Sequence, residues 1–209
     1  MTEQRTAEWF AERLRKVGCS RLSDVLAGDK TAARRNYMAE LICERLTGER
    51  TESFTTDAMQ WGIDTEPLAK EAYMIETWNM VEEHGGKEHD EIPHFRGSPD
   101  GLILPDGGVE IKCPKTATHL DTLMHGTVKK EYIYQMAGYV SIYHAAWWDF
   151  VSYDPRLKGH ELFIKRFLRE ELPVQEVEEG VKRFLEELDE MMKKLEGMNG
   201  RRESCNLDW

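Results

Sequence analysis

The sequence predicts an α/β domain in which a mixed central β-sheet is flanked by helices, and three observations carry that prediction. Apolar residues recur at helical spacing in the N-terminal third and again after Pro173. The middle of the chain switches to short, β-leaning runs on either side of Pro105-Asp106-Gly107-Gly108, a strong hairpin signal. The resulting order is helices, hairpin, helix, strands, helix, which fits one sheet covered by helical layers.

Taken in order, Thr6 to Lys16 is expected to be helical, with Trp9, Phe10, Leu14 and Val17 as its apolar stripe. Gly18 breaks it, and Ser20 is placed to cap a short helix carrying Leu22, Val25 and Leu26. Thr31 to Leu46 forms a third helix, stopped by Thr47-Gly48. Thr55 to about Trp78 is helical again, and Pro67 must either kink it or open a new segment after Thr65. Gly101 to Leu104 and Val109 to Cys113 are the hairpin strands. Lys129 to Ala145 is a helix, followed by strands at Trp147 to Tyr153 and Glu161 to Phe167. Pro173 opens a last amphipathic helix with Val177, Val181, Phe184, Leu185, Leu188, Met191, Met192 and Leu195 at helical spacing. That stripe reads as core or subunit contact. No repeat, low-complexity tract or linker divides the chain, so residues 1–209 are expected to form one domain, with a flexible tail from about residue 198.

At 209 residues, a well-packed core needs no disulfide or structural metal, and 40% hydrophobic content with six tryptophans excludes a disordered polypeptide. The polar start, Met1 to Glu12, is expected to be no secretory signal, and no apolar run reaches the roughly 18 residues that span a bilayer. Cys19, Cys43, Cys113 and Cys205 lie far apart, which suits reduced thiols in a cytoplasm and offers no zinc or iron–sulfur motif. The net charge of −11 argues against nucleic-acid binding unless a local positive footprint exists. Acid concentrates in Glu82–Glu91 and in the last helix. Arg13, Arg15, Lys16, Arg21, Lys30, Arg34 and Arg35 make a basic stretch near the N-terminus.

The chemistry sits in the hairpin. Along a strand, residues two apart share a face, so Glu110 and Lys112 point one way while Val109, Ile111 and Cys113 point the other. Asp100, at the start of the partner strand, comes beside Glu110 across the turn. Two adjacent carboxylates repel unless a proton or cation intervenes, and hard oxygen ligands suit Mg²⁺ or Mn²⁺. Held by Asp100 and Glu110, such an ion would polarise a scissile phosphate, and Lys112, its pKa lowered, would orient or deprotonate the attacking water. The same residues also fit an exposed salt-bridged pair beside an Asp100-Gly101 turn.

Ser98-Pro99-Asp100-Gly101-Leu102 followed by Glu110-Ile111-Lys112-Cys113-Pro114 resembles the bacteriophage lambda exonuclease family, the viral-recombinase branch of the PD-(D/E)xK nucleases. The likeness continues in Trp9 with Arg13, in Ser20 and Val25-Leu26, in Trp61-Gly62 with Glu66, in Tyr132 with Gln135, and in Tyr153-Asp154-Pro155-Arg156. These matches keep their order over roughly residues 9 to 160.

The resemblance implies a restriction-endonuclease-like fold and a processive 5′→3′ exonuclease acting on linear duplex DNA. The products would be mononucleotides and a 3′ single strand for annealing-driven recombination. It implies that Asp100, Glu110, the Ile111 carbonyl and Glu66 hold metal, with two ions per site, and that Lys112 assists the attacking water. Arg13, Ser20, Ser98 and Gln135 would bind the 5′-phosphate, as guanidinium, hydroxyl and amide donors suit. Ser98, two residues from Asp100, would then couple end binding to cutting. Tyr132 belongs to the same helix motif, Met59 falls where the family has a strand-separating wedge, and Lys30 near a groove-contacting base. The implied partners are a single-strand annealing protein and two further copies in a homotrimeric ring, in a bacterial host cytoplasm. An endonuclease or CRISPR-associated nuclease, or a non-catalytic DNA-end binder, are the alternatives; scattered cysteines speak against the cluster-bearing nucleases.

Overall fold

In the computed structural model, residues 6–51 and 56–205 are described, with side chains to residue 198. The Thr6 side chain accepts a hydrogen bond from the Trp9 amide and starts α1 (Ala7–Arg13). This helix ends three residues short of the expected Lys16. Arg15 takes a left-handed φ of 68°, and Val17 leaves to pair with Phe95 as β1 (Val17–Gly18). Ser20 does not cap a helix. It lies inside a 3-10 turn (Cys19–Arg21) that runs into α2 (Leu22–Val25), whose first turn has no side-chain cap.

α3 (Ala32–Thr47) begins at the Thr31 cap and stops at Gly48, with φ 74°, as the sequence predicts. α4 (Asp57–Thr77) runs as one helix straight through Pro67, capped by the Thr56 side chain. The expected start at Thr55 lies outside the described residues. Next come β2 (Lys87–Glu88) and β3 (Phe95–Gly97), then β4 (Gly101–Ile103) and β5 (Gly107–Lys112), which form the expected hairpin. α5 (Thr116–His125) is an unforeseen helix. α6 (Lys130–Tyr143), β6 (Trp147–Tyr153), β7 (Leu162–Leu168) and α7 (Val174–Cys205) follow close to the expected bounds. α7 is helical through Cys205, and residues 206–209 of the expected tail lie outside the described residues.

The central sheet has order β4-β5-β6-β7, with β5 and β6 parallel and both outer pairs antiparallel. It is the mixed sheet expected. A second, small mixed sheet, β1-β3-β2, joins the N-terminal segment to the centre. β5 is inner in its sheet and buried on both faces. On one face Val109, Ile111 and Val151 pack with Ala69 and Tyr73 of α4. On the other, Phe150 and Trp148 join the larger core with α6 and α7. That core takes the first half of the α7 stripe, Val177 through Leu188, while Met191 lies at the surface.

Candidate active site

β5 carries its charged residues into the face beneath α6. The parallel register sets Glu110 beside Phe150, and Phe150 stacks on Tyr132 of α6 with ring centroids 5.5 Å apart. Glu110 is therefore fully buried, which removes the reading of an exposed salt-bridged pair. Its carboxylate forms an ion pair with the Lys112 ammonium. No hydrogen bond from any other described residue satisfies it. Lys112 Nζ also lies 5.1 Å from the Tyr132 ring centroid. Gly101 pairs with Val109, so Asp100, one residue earlier, faces the Glu110 end of the strand. Its Oδ2 accepts a hydrogen bond from the Ile111 amide at 2.6 Å.

Burial, and then the charge of Glu110, push the Asp100 carboxyl well above its usual range. Burial also raises Glu110, with Lys112 opposing. For Lys112 two effects compete when no cation is bound. Burial works against its charged form, but Glu110 and Asp100 outweigh burial and hold the ammonium above the ordinary lysine value.

Asp100, Ile111, Lys112, Tyr132 and Glu66 of α4 line one cavity of about 520 Å³. The structure thus brings every residue expected at the catalytic centre to one place. Among the described residues, no three His, Cys, Asp or Glu side chains are drawn close enough to form a finished metal cage. The donor set nevertheless fits a hard divalent cation. A buried and a half-buried carboxylate face one lysine, Glu110 lacks other hydrogen-bond partners among the described residues, and Glu66 bears electrostatically on Asp100.

A second cavity, of about 390 Å³, lies against α1 and takes Arg13, Ser20, Arg50 and Arg96 into its wall. Met59, 54% exposed, lines both cavities. The Arg13 guanidinium lies 4.3 Å over the Trp9 ring and has no ion pair or hydrogen bond among the described residues. Burial lowers its pKa, which marks a cation without its counter-charge. Its neighbours in the basic stretch are engaged differently. Lys16 pairs with Glu88, Arg21 with Asp24 and Glu40, and Arg34 with Glu187. The stretch expected to be a DNA footprint is thus largely spent on the fold.

Comparison with known proteins places this geometry. A family model for a YqaJ-like viral recombinase domain matches residues 8–145. The chain belongs to that family. Among solved structures, the recombinase aligns with LHK-Exo, an alkaline exonuclease from Laribacter hongkongensis, at 44% identity and a TM-score of 0.87, covering 94% of this chain and 99% of that one. LHK-Exo in complex with dAMP aligns over the same shares with a TM-score of 0.88. A phage-related exonuclease from Haemophilus somnus 129PT, 17% identical, aligns over 86% of this chain and 96% of that one with a TM-score of 0.67, and shares the fold. No match was found among curated proteins. The fold is that of PD-(D/E)xK nucleases, and family and neighbours support a nuclease role. No helix among the described residues is long and apolar enough to cross a membrane.

Other expected residues of the recombinase are placed unevenly. Ser98 and Gln135 are buried and line neither cavity. Ser98 Oγ donates to the Gly85 carbonyl at 3.3 Å, and Gln135 Nε2 donates to Tyr139 Oη at 2.9 Å. Lys30 is exposed in the turn before α3 and lines neither cavity. The Tyr153–Arg156 motif has a structural reading. Arg156 grips the fully buried Asp154 through two nitrogens and lies 4.1 Å over Trp61 of α4. This clamps α4, and with it Glu66, to the end of β6. Two residues, one lining the second cavity and one bonded to Gln135, were missed in the sequence. Arg96, held by Glu12 and by the Gly85 and Gly86 carbonyls, gives no local signal. Tyr139 could have been found, since it shares a helix face with Gln135 four residues earlier.

Proposed function

We propose that this recombinase is a Mg²⁺-dependent exonuclease, Mn²⁺ substituting, that degrades linear duplex DNA processively in the 5′→3′ direction. The products are mononucleotides and a 3′ single strand for annealing-driven recombination. The observation that carries this is the pairing of two cavities through Met59. One is lined by Asp100 and Lys112, with the buried Glu110 paired to Lys112 beside it; the other presents Arg13, which has no ion pair among the described residues.

In this reading Asp100, Glu110, Glu66 and the Ile111 carbonyl hold the divalent cations. When bound, Mg²⁺ supplies Lewis-acid polarisation of the scissile phosphate and makes a water more acidic. Lys112 offsets charge that builds on the phosphate and orients or deprotonates the attacking water. Arg13 clamps the terminal 5′-phosphate, with Ser20 as a hydroxyl donor, and Ser98 and Gln135 complete the anchor when the end is seated. Met59 separates the last base pair, Tyr132 supports Lys112, and Lys30 meets the duplex backbone. Three copies form a ring around the DNA, a single-strand annealing protein receives the product, and the site of action is the bacterial cytoplasm.

The test is digestion of linear duplex with and without a 5′-phosphate, beside closed circular DNA and the Lys112→Ala variant. The 5′-phosphorylated strand should be shortened first, in Mg²⁺ but not in EDTA. Lys112→Ala should be inert while still binding ends. Equal attack on circles, or an active Lys112→Ala, would overturn the mechanism.

A further inference from the structure

Gln135, Tyr139 and Tyr143 recur every four residues on α6 and so share one face. Tyr139 Oη accepts the hydrogen bond from Gln135 Nε2 at 2.9 Å and donates to the Ser98 carbonyl at 3.1 Å. One turn on, Tyr143 Oη donates to the Gly97 carbonyl at 3.1 Å. Two tyrosines thus grip consecutive peptides of the segment that delivers Asp100, and only one of them also touches Gln135.

The Tyr139 ring has little freedom to move separately from that backbone. It is 2% exposed and stacks on the fully buried Trp148, with centroids 5.2 Å apart. Its edge lies so close to Gly97 that a Cβ there would come within 2.9 Å of it. A shift of Gln135 is therefore passed through Tyr139 to the Ser98 peptide, two residues before Asp100.

We propose that Tyr139 is a positioning residue that couples occupancy of the 5′-phosphate anchor to the placement of Asp100. This rests on Gln135 belonging to the anchor. When an end engages Gln135, the relay sets the 98–100 backbone in its cutting position. Without an end, Tyr139 and Tyr143 hold the segment in its resting position and cutting is slow.

The experiment compares initial rates on 5′-phosphoryl and 5′-hydroxyl duplexes for wild type, Tyr139→Phe and Tyr143→Phe, with melting temperatures for each. Tyr139→Phe keeps the stack on Trp148 and should lose about tenfold of the phosphate preference, the scale of one buried hydrogen bond. Tyr143→Phe should lower the melting temperature and leave the ratio at the wild-type value. A Tyr139→Phe enzyme with the wild-type ratio overturns the relay. A wild type with no phosphate preference overturns the anchor itself, which is a different failure. Should Tyr139→Phe not fold, Gln135→Ala decides on the 5′-phosphoryl duplex. A lower saturated rate there supports the relay, and a higher KM with an unchanged saturated rate shows Gln135 acting only as a phosphate ligand and overturns it.

Discussion

His89 shows how a single side chain can be fixed by its surroundings without any catalytic duty. Its Nδ1 accepts from the Glu91 and Ile92 amides, so Nε2 carries the hydrogen and donates to Ser141 Oγ at 2.9 Å. Ser141 in turn donates to Glu178 of α7 at 2.6 Å. Burial lowers the His89 pKa, partly opposed by Glu178 and Asp90. For a histidine lowered in the fold, the unfolded chain binds more protons once pH drops below the ordinary value. Stability is then full above about pH 6.5 and falls as pH drops toward the folded value. Urea midpoints should therefore decline between about pH 7 and pH 5, and His89→Gln, which keeps an acceptor, should flatten that decline. An unchanged slope in the variant would show that His84, also lowered first by burial, carries the effect.

At the scale of elements, the sequence was most legible where local chemistry decides. Thr31 and Gly48 bracket α3, the turn at Pro105–Gly108 sets the hairpin, and alternation in β5 separates Glu110 and Lys112 from Val109 and Ile111. It was least legible where pairing partners lie far apart. β1 and β2 have two residues each and β3 three, too few for any period, and they exist only because Val17 meets Phe95 and Lys87 meets Gly97. That remote pairing also ends α1 early and turns Arg13 toward its cavity. Helix docking had a usable signal in Gly138, midway along α6. A Cβ there would meet Leu22 Cδ1 at 2.6 Å and Cys19 Sγ at 2.9 Å. Gly138→Ala should thus force α6 off the Cys19–Val25 segment, costing roughly 1–3 kcal/mol as overpacking does. Chemical denaturation would read that loss, and a melting curve equal to wild type would show that the segment yields freely.

For the whole molecule, the question is how a chain of net charge −11 handles a polyanion. Part of the acidity of α7 is turned inward. Glu176 accepts from Tyr134, Glu178 from Ser141, and Glu187 and Asp189 pair with Arg34 and Arg45 of α3. The remainder still repels DNA in free solution, and much of the N-terminal basic stretch is engaged by Glu88, Asp24, Glu40 and Glu187. Tight grip by electrostatics alone is therefore a poor route to processive digestion, whereas a closed ring retains the duplex by topology. Salt should weaken the first capture of an end far more than the steps that follow, because in the proposed mechanism capture depends on Arg13 meeting the terminal phosphate. If digestion of a labelled 5′-phosphorylated duplex is started and excess unlabelled ends are then added, strands already engaged should continue to shorten at the same rate. The protein should sediment at three times the mass of its 24.3 kDa chain. Digestion that halts on adding competitor, or a chain that sediments alone, would remove the ring and leave the charge of this enzyme to be reconciled with its substrate by contacts within one subunit.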